Sequence, residues 1–434
     1  MLRKNFLLAL AIIGVVSASI FAQSPFVAVK NHQFYIGEKP YYYIGTNYWY
    51  GTLLGLEKDK KRGIERLRRE LDFLKANGVT NLRIMAGAEG SGLINGVNRV
   101  APPLQPTQGK FNVEMLDGLD IVLAEMGKRN LKAIIFLSNN WEWSGGFQQY
   151  LIWNKLVPKD QETRKLTWDE QRDIVAKFYS CEPCKTAYNE QANLVINRTN
   201  KITKKKYIND SAIMAWELAN EPRPMRPYAV EDYKKWISDV AAMIKHKDKN
   251  HLVTLGHEGF MGTESLPLFE EIHRDKNVDY LTIHVWAKNW GWFKDDKIAE
   301  GYSNVVEKAT NYINEHIAVA KKLDKPLVIE EFGLPRNAQS FDINSPTSLR
   351  DDYYSKMFAF VSESKQSNGV LAGANFWAFG GTSRPTRGQI FWKKGDDYMG
   401  DPPMEEQGLN TVFDSDKTTW KIIHSFTDSI NQQK

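Results

Sequence analysis

The feature that most constrains the fold of this chain is an alternation repeated eight times, a short apolar run followed by an amphipathic stretch. The runs are Tyr42–Tyr48, Asn81–Gly87, Leu131–Asn139, Ile213–Asn220, Leu252–His257, Tyr280–Trp286, Leu327–Phe332 and Gly373–Phe379. Runs of this length bounded by turn residues read as buried strands. Helical patterns lie at Ile64–Ala76, Val113–Arg129, Trp168–Asn197, Val230–Lys245, Leu266–Ile272, Val305–Leu323 and Leu349–Ser364, and Thr418–Ile430 closes the chain. Asn77-Gly78 stops the first of them, glycine being the residue that tolerates a helix C-terminal turn. A parallel strand needs a long crossover to its neighbour, and a helix is the usual one. Eight such units predict an α/β fold, a (β/α)8 TIM barrel.

The chain has 434 residues. Met1–Ala22 has a basic start, an apolar core and a small residue at its end, the pattern of a secretory signal peptide. Cleavage is placed after Ala22, with Ala18 as a second site and an uncleaved anchor as the alternative. Residues 23–434 then form a single barrel domain of about 50 residues per unit, against about 30 in an ordinary barrel. The surplus follows strands rather than preceding them, in Ala88–Asn112, Trp141–Thr167 and Thr382–Ser415. Loops in that position build the active-site face of a barrel. Secretion or a periplasmic location follows, with no membrane association after cleavage and a monomer expected. Cys181 and Cys184 are the only cysteines. A lone C-x-x-C lacks the second pair of a structural zinc site, leaving a local disulfide or two free thiols.

A net charge of +5 on this length does not argue for a nucleic-acid partner. The eight histidines form no H-E-x-x-H or similar cluster, and there is no phosphate loop, so no metal and no cofactor is expected. His257-Glu258 reads as loop structure or a substrate contact.

Two strands end in carboxylates. The fourth runs into Trp216-Glu217-Leu218-Ala219-Asn220-Glu221-Pro222, and the seventh reads Val328-Ile329-Glu330-Glu331-Phe332-Gly333. A charge in a buried strand is costly unless it has a task. A pair of carboxylates facing each other suits glycoside hydrolysis, one protonating the leaving oxygen and the other attacking the sugar carbon. Strand alternation points Glu330 and Glu331 to opposite sides, so only one faces the barrel mouth.

These segments resemble glycoside hydrolase family 5, in its β-mannanase branch. The likeness rests on Gly45-Thr46-Asn47-Tyr48-Trp49, Asn81-Leu82-Arg83, Asn139-Asn140-Trp141 with Gly145-Gly146, Asn220-Glu221-Pro222-Arg223, Glu331-Phe332-Gly333 and Asn375-Phe376-Trp377, in that order over nearly the whole mature chain. The resemblance implies Glu221 as the acid/base and Glu331 as the nucleophile of a retaining endo-β-1,4-mannanase. It further implies that Asn220 bonds the sugar 2-hydroxyl, Arg83 keeps the nucleophile ionised, His284 positions the acid/base or contacts substrate, and Trp377 floors the sugar under attack. Trp286 stands where many members carry tyrosine. Asn139-Asn140 stands where many carry histidine, so no second proton carrier is assumed there. Arg223 and Asn140 are expected to contact substrate.

Eight of the 13 tryptophans lie at or after strand ends: Trp49, Trp141, Trp143, Trp286, Trp290, Trp292, Trp377 and Trp392. Sugar rings stack their C–H faces on such side chains, so these residues are expected to pave a groove for a β-mannan polysaccharide or oligosaccharide, with Trp168 assigned to the core. An endo-β-1,4-glucanase would use the same machinery. A non-catalytic carbohydrate-binding barrel would be expected to have lost one of the two glutamates, and both are present.

Overall fold

The computed structural model describes residues 25–294 and 297–432, so the segment read as a signal peptide lies outside the described residues. Eight parallel strands follow in chain order: β1 Tyr43–Asn47, β2 Asn81–Met85, β3 Lys132–Phe136, β4 Ile213–Glu217, β5 Leu252–Thr254, β6 Leu281–Val285, β7 Leu327–Phe332 and β8 Leu371–Phe376. Ladder bonds run continuously from β5 through β4, β3, β2, β1, β8 and β7 to β6. The last seam is stitched partly through side chains. Asp279 N donates to Val253 O (2.8 Å), Thr254 Oγ1 to Tyr280 O (3.1 Å), His257 N to Thr282 Oγ1 (2.7 Å) and His284 N to Glu258 O (3.0 Å). The expected (β/α)8 barrel is thereby closed.

The helices returning on the outside are α1 Lys60–Ala76, α2 Val113–Lys128, α3 Glu182–Ile196, α4 Val230–Lys247, α5 Leu266–His273, α6 Ile298–Leu323, α7 Ser348–Ser367 and α8 Lys417–Asn431. α1 starts earlier than its apolar periodicity suggests because Asp59 caps it, its side chain accepting from Arg62 N at 3.1 Å. The stretch Trp168–Asn197, expected as one helix, is broken. Trp168–Val175 is helical, Ala176–Phe178 tightens to a 3₁₀ turn, and the chain restarts at Glu182. Pro183 sits in the first turn of α3, where its missing N–H costs nothing, and Cys181 caps that turn by accepting from Cys184 N at 3.2 Å. Cys181 and Cys184 form a disulfide.

An N-terminal element was not anticipated. Val27–Lys30 pairs antiparallel with Gln33–Ile36, which pairs with Lys39–Pro40. Asn31 and His32 both have positive φ, as a tight hairpin turn requires. The hairpin inserts Phe34 edge-on against Tyr280 (5.1 Å between centroids) and beside Tyr43, closing the barrel at the N-terminal ends of its strands. The opposite end stays open.

The long loops all lie at that open end. Buried Glu89, after β2, accepts from Ser138 Oγ (2.8 Å), Gly146 N (3.0 Å) and Gln191 Nε2 (2.7 Å), so one carboxylate ties the loops after β2 and β3 together. Gly145 has φ 94°, and a Cβ there would collide with the Glu89 carbonyl. The loop after β8 is pinned at both ends, because Phe379–Gly381 pairs with Val412–Phe413.

Candidate active site

β4 ends at Glu217, and the chain crosses the barrel mouth through Asn220 and Glu221. Asn220 N donates to Ser138 O (2.9 Å) and Glu221 N to Gly256 O (2.8 Å), bracing the segment from both neighbouring units. Glu221 is held at φ 52°. That left-handed conformation costs a non-glycine residue of order 1–3 kcal/mol and persists only where the surroundings enforce it. Glu331, from β7, faces it across a cavity of about 930 Å³ that is also lined by Asn220, Trp141, Trp286 and Trp377.

The two carboxylates meet different partners. Glu221 accepts from the Trp141 indole N–H and lies 2.5 Å from His284 Nδ1. Glu331 accepts from the Arg83 guanidinium and, at 3.0 Å, from the Trp286 indole N–H. His284 Nδ1 is also 3.3 Å from Glu331. One oxygen of each carboxylate and a ring nitrogen of His284 lie within 4.8 Å of one another. Indole thus donates to the carboxylate despite its greater size.

Arg83 organises the floor. Its Nε and Nη2 fork Glu217 at 2.8 and 2.6 Å, Nη2 also reaches Asn220 Oδ1 (2.7 Å), and Nη1 reaches Asn47 Oδ1 (3.0 Å) and Glu331. Glu330 Oε2 stands 3.8 Å from the same guanidinium and 3.7 Å from His284 Nε2. The expectation that Glu330 and Glu331 point to opposite sides is therefore corrected. Pairing with β6 jumps from Ile283↔Ile329 to His284↔Glu331, so Glu330 is the extra residue of a β-bulge. Both side chains turn inward, but among these two only Glu331 lines the cavity.

Burial pushes the His284 ring down to about 4, leaving it neutral. Burial also raises the carboxyls of Glu221 and Glu331 above the usual range. Arg223 and the Trp141 N–H oppose that rise at Glu221, and Arg83 and the Trp286 N–H oppose it at Glu331. Two carboxyls this close titrate as a pair. Among the described residues, Glu221, His284 and Glu331 are the group whose ligand atoms cluster closely enough for a cation. The fixed charge of Arg83 against Glu331 opposes a second cation there.

Other expected site residues fall into place unevenly. Arg223 forks Glu258 at 2.5 Å and lies over Trp141 and Trp168, 5.0 and 5.7 Å from their ring centroids. It lines the cavity, as do Trp143 and Trp290. Trp49 does not. It is fully buried, its indole N–H donates to Gly400 O at 2.7 Å, and it props the loop after β8 from below. Trp292 and Trp392 are likewise packed into loops rather than facing the cavity. Asn140 is buried, with Oδ1 accepting from Arg223 N at 3.4 Å, and is not part of the lining. Trp168, assigned to the core, is 48% exposed and lines the cavity. Thr167 and Glu170 form a capping box, fixing Trp168 as the first residue of a helix on the loop after β3. In the sequence, Thr167-Trp168-Asp169-Glu170 marks a helix start directly after the long loop that follows β3.

Comparison with known proteins gives a consistent result. The family model described as "GH family 5 beta-mannosidase-like" matches residues 24–434. Mannan endo-1,4-β-mannosidase 4 of Solanum lycopersicum is 30% identical over 287 residues, 63% of this chain and 66% of that protein. Mannan endo-1,4-β-mannosidase 1 of Oryza sativa subsp. japonica is 28% identical over 367 residues, 81% of this chain and 78% of that one. The crystal structure of a glycoside hydrolase family 5 mannosidase from Rhizomucor miehei superposes with a TM-score of 0.83 at 31% identity, covering 94% of this chain and 98% of that one. A variant of the same enzyme has been solved with mannosyl-fructose.

Proposed function

Because the chain belongs to the β-mannosidase-like group of glycoside hydrolase family 5 and is a glycoside hydrolase, we propose that it is a secreted, retaining endo-β-1,4-mannanase acting by double displacement. The observation that carries this reading is the pairing of Glu221 and Glu331 with different partners inside one cavity.

The first step needs one carboxyl protonated and the other ionised. Arg83 touches Glu331 directly, which favours its charged form; Glu221 keeps the shared proton and faces neutral His284. Glu331 attacks the anomeric carbon while Glu221 protonates the departing glycosidic oxygen. Glu221, now ionised, then takes a proton from water, which displaces Glu331 and restores the starting state. The closeness of the carboxylate oxygens, within 4.8 Å, favours retention, since inverting enzymes need about 6.5–9.5 Å to seat a water. Asn220 Oδ1 is held by Arg83 and its Nδ2 donates to Asn139 Oδ1 at 3.1 Å, so its amide is fixed for a substrate hydroxyl. Trp377 lies perpendicular to Trp286, 5.9 Å between centroids, and supplies the sugar floor.

Mannan as substrate is supported by the names of the relatives in plants and by the mannosyl-fructose complex of the fungal neighbour. Secretion is supported by the pattern of Met1–Ala22 and by the disulfide, which suits an oxidising compartment. Reducing-sugar release should be highest on galactomannan and glucomannan and minimal on carboxymethylcellulose. Activity confined to carboxymethylcellulose would replace this reading with the glucanase.

A further inference from the structure

Glu330 is fully buried, does not line the cavity, and takes no part in the chemistry above. Its backbone carbonyl accepts from Asn47 Nδ2 at 2.9 Å, which holds the bulge in place. Among the described residues, neither of its carboxyl oxygens has a hydrogen-bond partner, and neither does Nε2 of His284. These unpaired atoms face each other, with Glu330 Oε2 standing 3.7 Å from His284 Nε2. A buried polar group left unpaired is costly, so each such group calls for an explanation.

The nearby cation does not satisfy Glu330. Arg83 Nε is 3.8 Å from it, but all the guanidinium N–H donors are committed, two to Glu217 and one each to Glu331, Asn220 and Asn47. The other titratable groups around Glu330 are Glu217, Tyr43 and Tyr280, and neither tyrosine hydroxyl has a hydrogen-bond partner among the described residues. Burial and the charge of Glu217 raise the Glu330 carboxyl above its usual range, against the pull of Arg83 and His284.

The far side of the His284 ring decides which nitrogen holds hydrogen. Nδ1 lies 2.5 Å from Glu221 Oε1 and 3.3 Å from Glu331 Oε2. A lone pair on Nδ1 would point at the charge of Glu331, so the hydrogen belongs there. A neutral imidazole carries one N–H, which leaves Nε2 a bare acceptor. An ionised Glu330 would set a negative oxygen against that lone pair, whereas a carboxylic O–H pairs both atoms at once.

We propose that Glu330 is a positioning residue, a neutral carboxylic acid whose O–H donates to His284 Nε2 and thereby keeps the ring hydrogen on Nδ1, facing Glu221 and Glu331. The N–H then occupies Glu221 Oε1, so the proton that Glu221 delivers sits on Oε2, the oxygen that meets the Trp141 indole. This catalytic consequence rests on the reading of Glu221 as the acid/base.

The test compares the parent with Glu330→Gln and Glu330→Leu. Near neutral pH, the infrared difference between the parent and Glu330→Gln should show the C=O stretch of one protonated carboxyl group, lost in the variant. NMR of isotope-labelled histidine, with His284 assigned by its loss in His284→Gln, should place the hydrogen on Nδ1 in the parent and in Glu330→Gln, whose amide keeps an N–H donor. Glu330→Leu removes the donor, so its His284 should populate both tautomers. Its kcat on mannohexaose should fall about 10- to 100-fold, the range for a buried acceptor left unpaired, with KM little changed, and Glu330→Gln should recover most of that loss. The infrared and parent tautomer readouts stand even if Glu330→Leu fails to fold. An unchanged carboxyl band in Glu330→Gln, hydrogen on Nε2 in the parent, or a tautomer and kcat unmoved in Glu330→Leu would overturn the proposal. A parent with the expected band and tautomer that does not cleave mannohexaose would overturn the mannanase reading instead.

Discussion

Replacing Glu331 by alanine should lower kcat on mannan by about 10³-fold or more, the scale on which removing a covalent nucleophile acts. Azide should restore turnover of an activated mannoside by attacking from the vacated side, giving the α-mannosyl azide. Glu221→Ala should behave differently. Glycosylation of Glu331 then requires a leaving group that departs without protonation, so activity on mannan is lost while activity on an activated aryl mannoside persists in part. Azide now intercepts the glycosyl-enzyme from the opposite face and gives the β-mannosyl azide. The opposed anomers follow from the geometry, with Glu331 held by Arg83 and Trp286 on one side of the sugar and Glu221 held by His284 and Trp141 on the other. Equal activity of parent and variants on mannan would remove both assignments.

The second large effect is at Arg83. Its side chain is fully buried and bonds Glu217, Glu331, Asn220 and Asn47, with Glu330 close by. Arg83→Met leaves three buried carboxyls without their cation. Breaking a buried ion pair from one side costs about 3–5 kcal/mol, so the urea midpoint should fall and activity should fall at least 10²-fold. Arg83→Lys keeps the charge but not the fork, and a single ammonium cannot reach Glu217, Glu331 and Asn220 together. That variant should fold better than Arg83→Met and remain strongly impaired. The pH dependence has a definite sign. Burial already raises Glu331, so the acid limb of kcat/KM in the parent should lie above the ordinary glutamate pKa of about 4.3. Losing the cation raises the carboxyl further, so the acid limb of Arg83→Met should move to higher pH. An unmoved limb would show that Arg83 does not set the charge of the nucleophile.

Much of this architecture was legible before any coordinates. Short apolar runs and period-3.6 patterning depend only on which residues must be buried, so the eight strands emerge within a few residues of their ends. Glu221 and Glu331 stood out because a carboxylate at the end of an apolar strand conflicts with burial unless it has partners. What escaped depends on contacts made at long range. The bulge at Glu330 is set by the register of β7 against β6, which no local pattern encodes. Trp49 and Trp168 were assigned to each other's roles because an aromatic residue beside a strand end looks the same in sequence whether it meets a sugar or a neighbouring loop. For Trp49 the deciding contact is with Gly400, far along the chain. The break before α3 is marked in the sequence by Pro183, but apolar periodicity continues across it and hides it. The course of the loop after β8 left no mark, since that loop has no periodicity and its conformation is set by hydrogen bonds such as those from Gly408 N and Thr411 Oγ1 to Asp401 and from Gln407 Nε2 to Asp401 O.

The central claim, that Glu331 and not its neighbour Glu330 forms a covalent bond to the sugar, is tested most directly by trapping the intermediate. A 2-deoxy-2-fluoro-mannosyl fluoride slows the second displacement more than the loss of fluoride, so the glycosyl-enzyme accumulates for peptide mass spectrometry. The label should sit on Glu331. A label on Glu330 or Glu221, or turnover of mannan with inversion at the anomeric carbon and no label, would contradict the account.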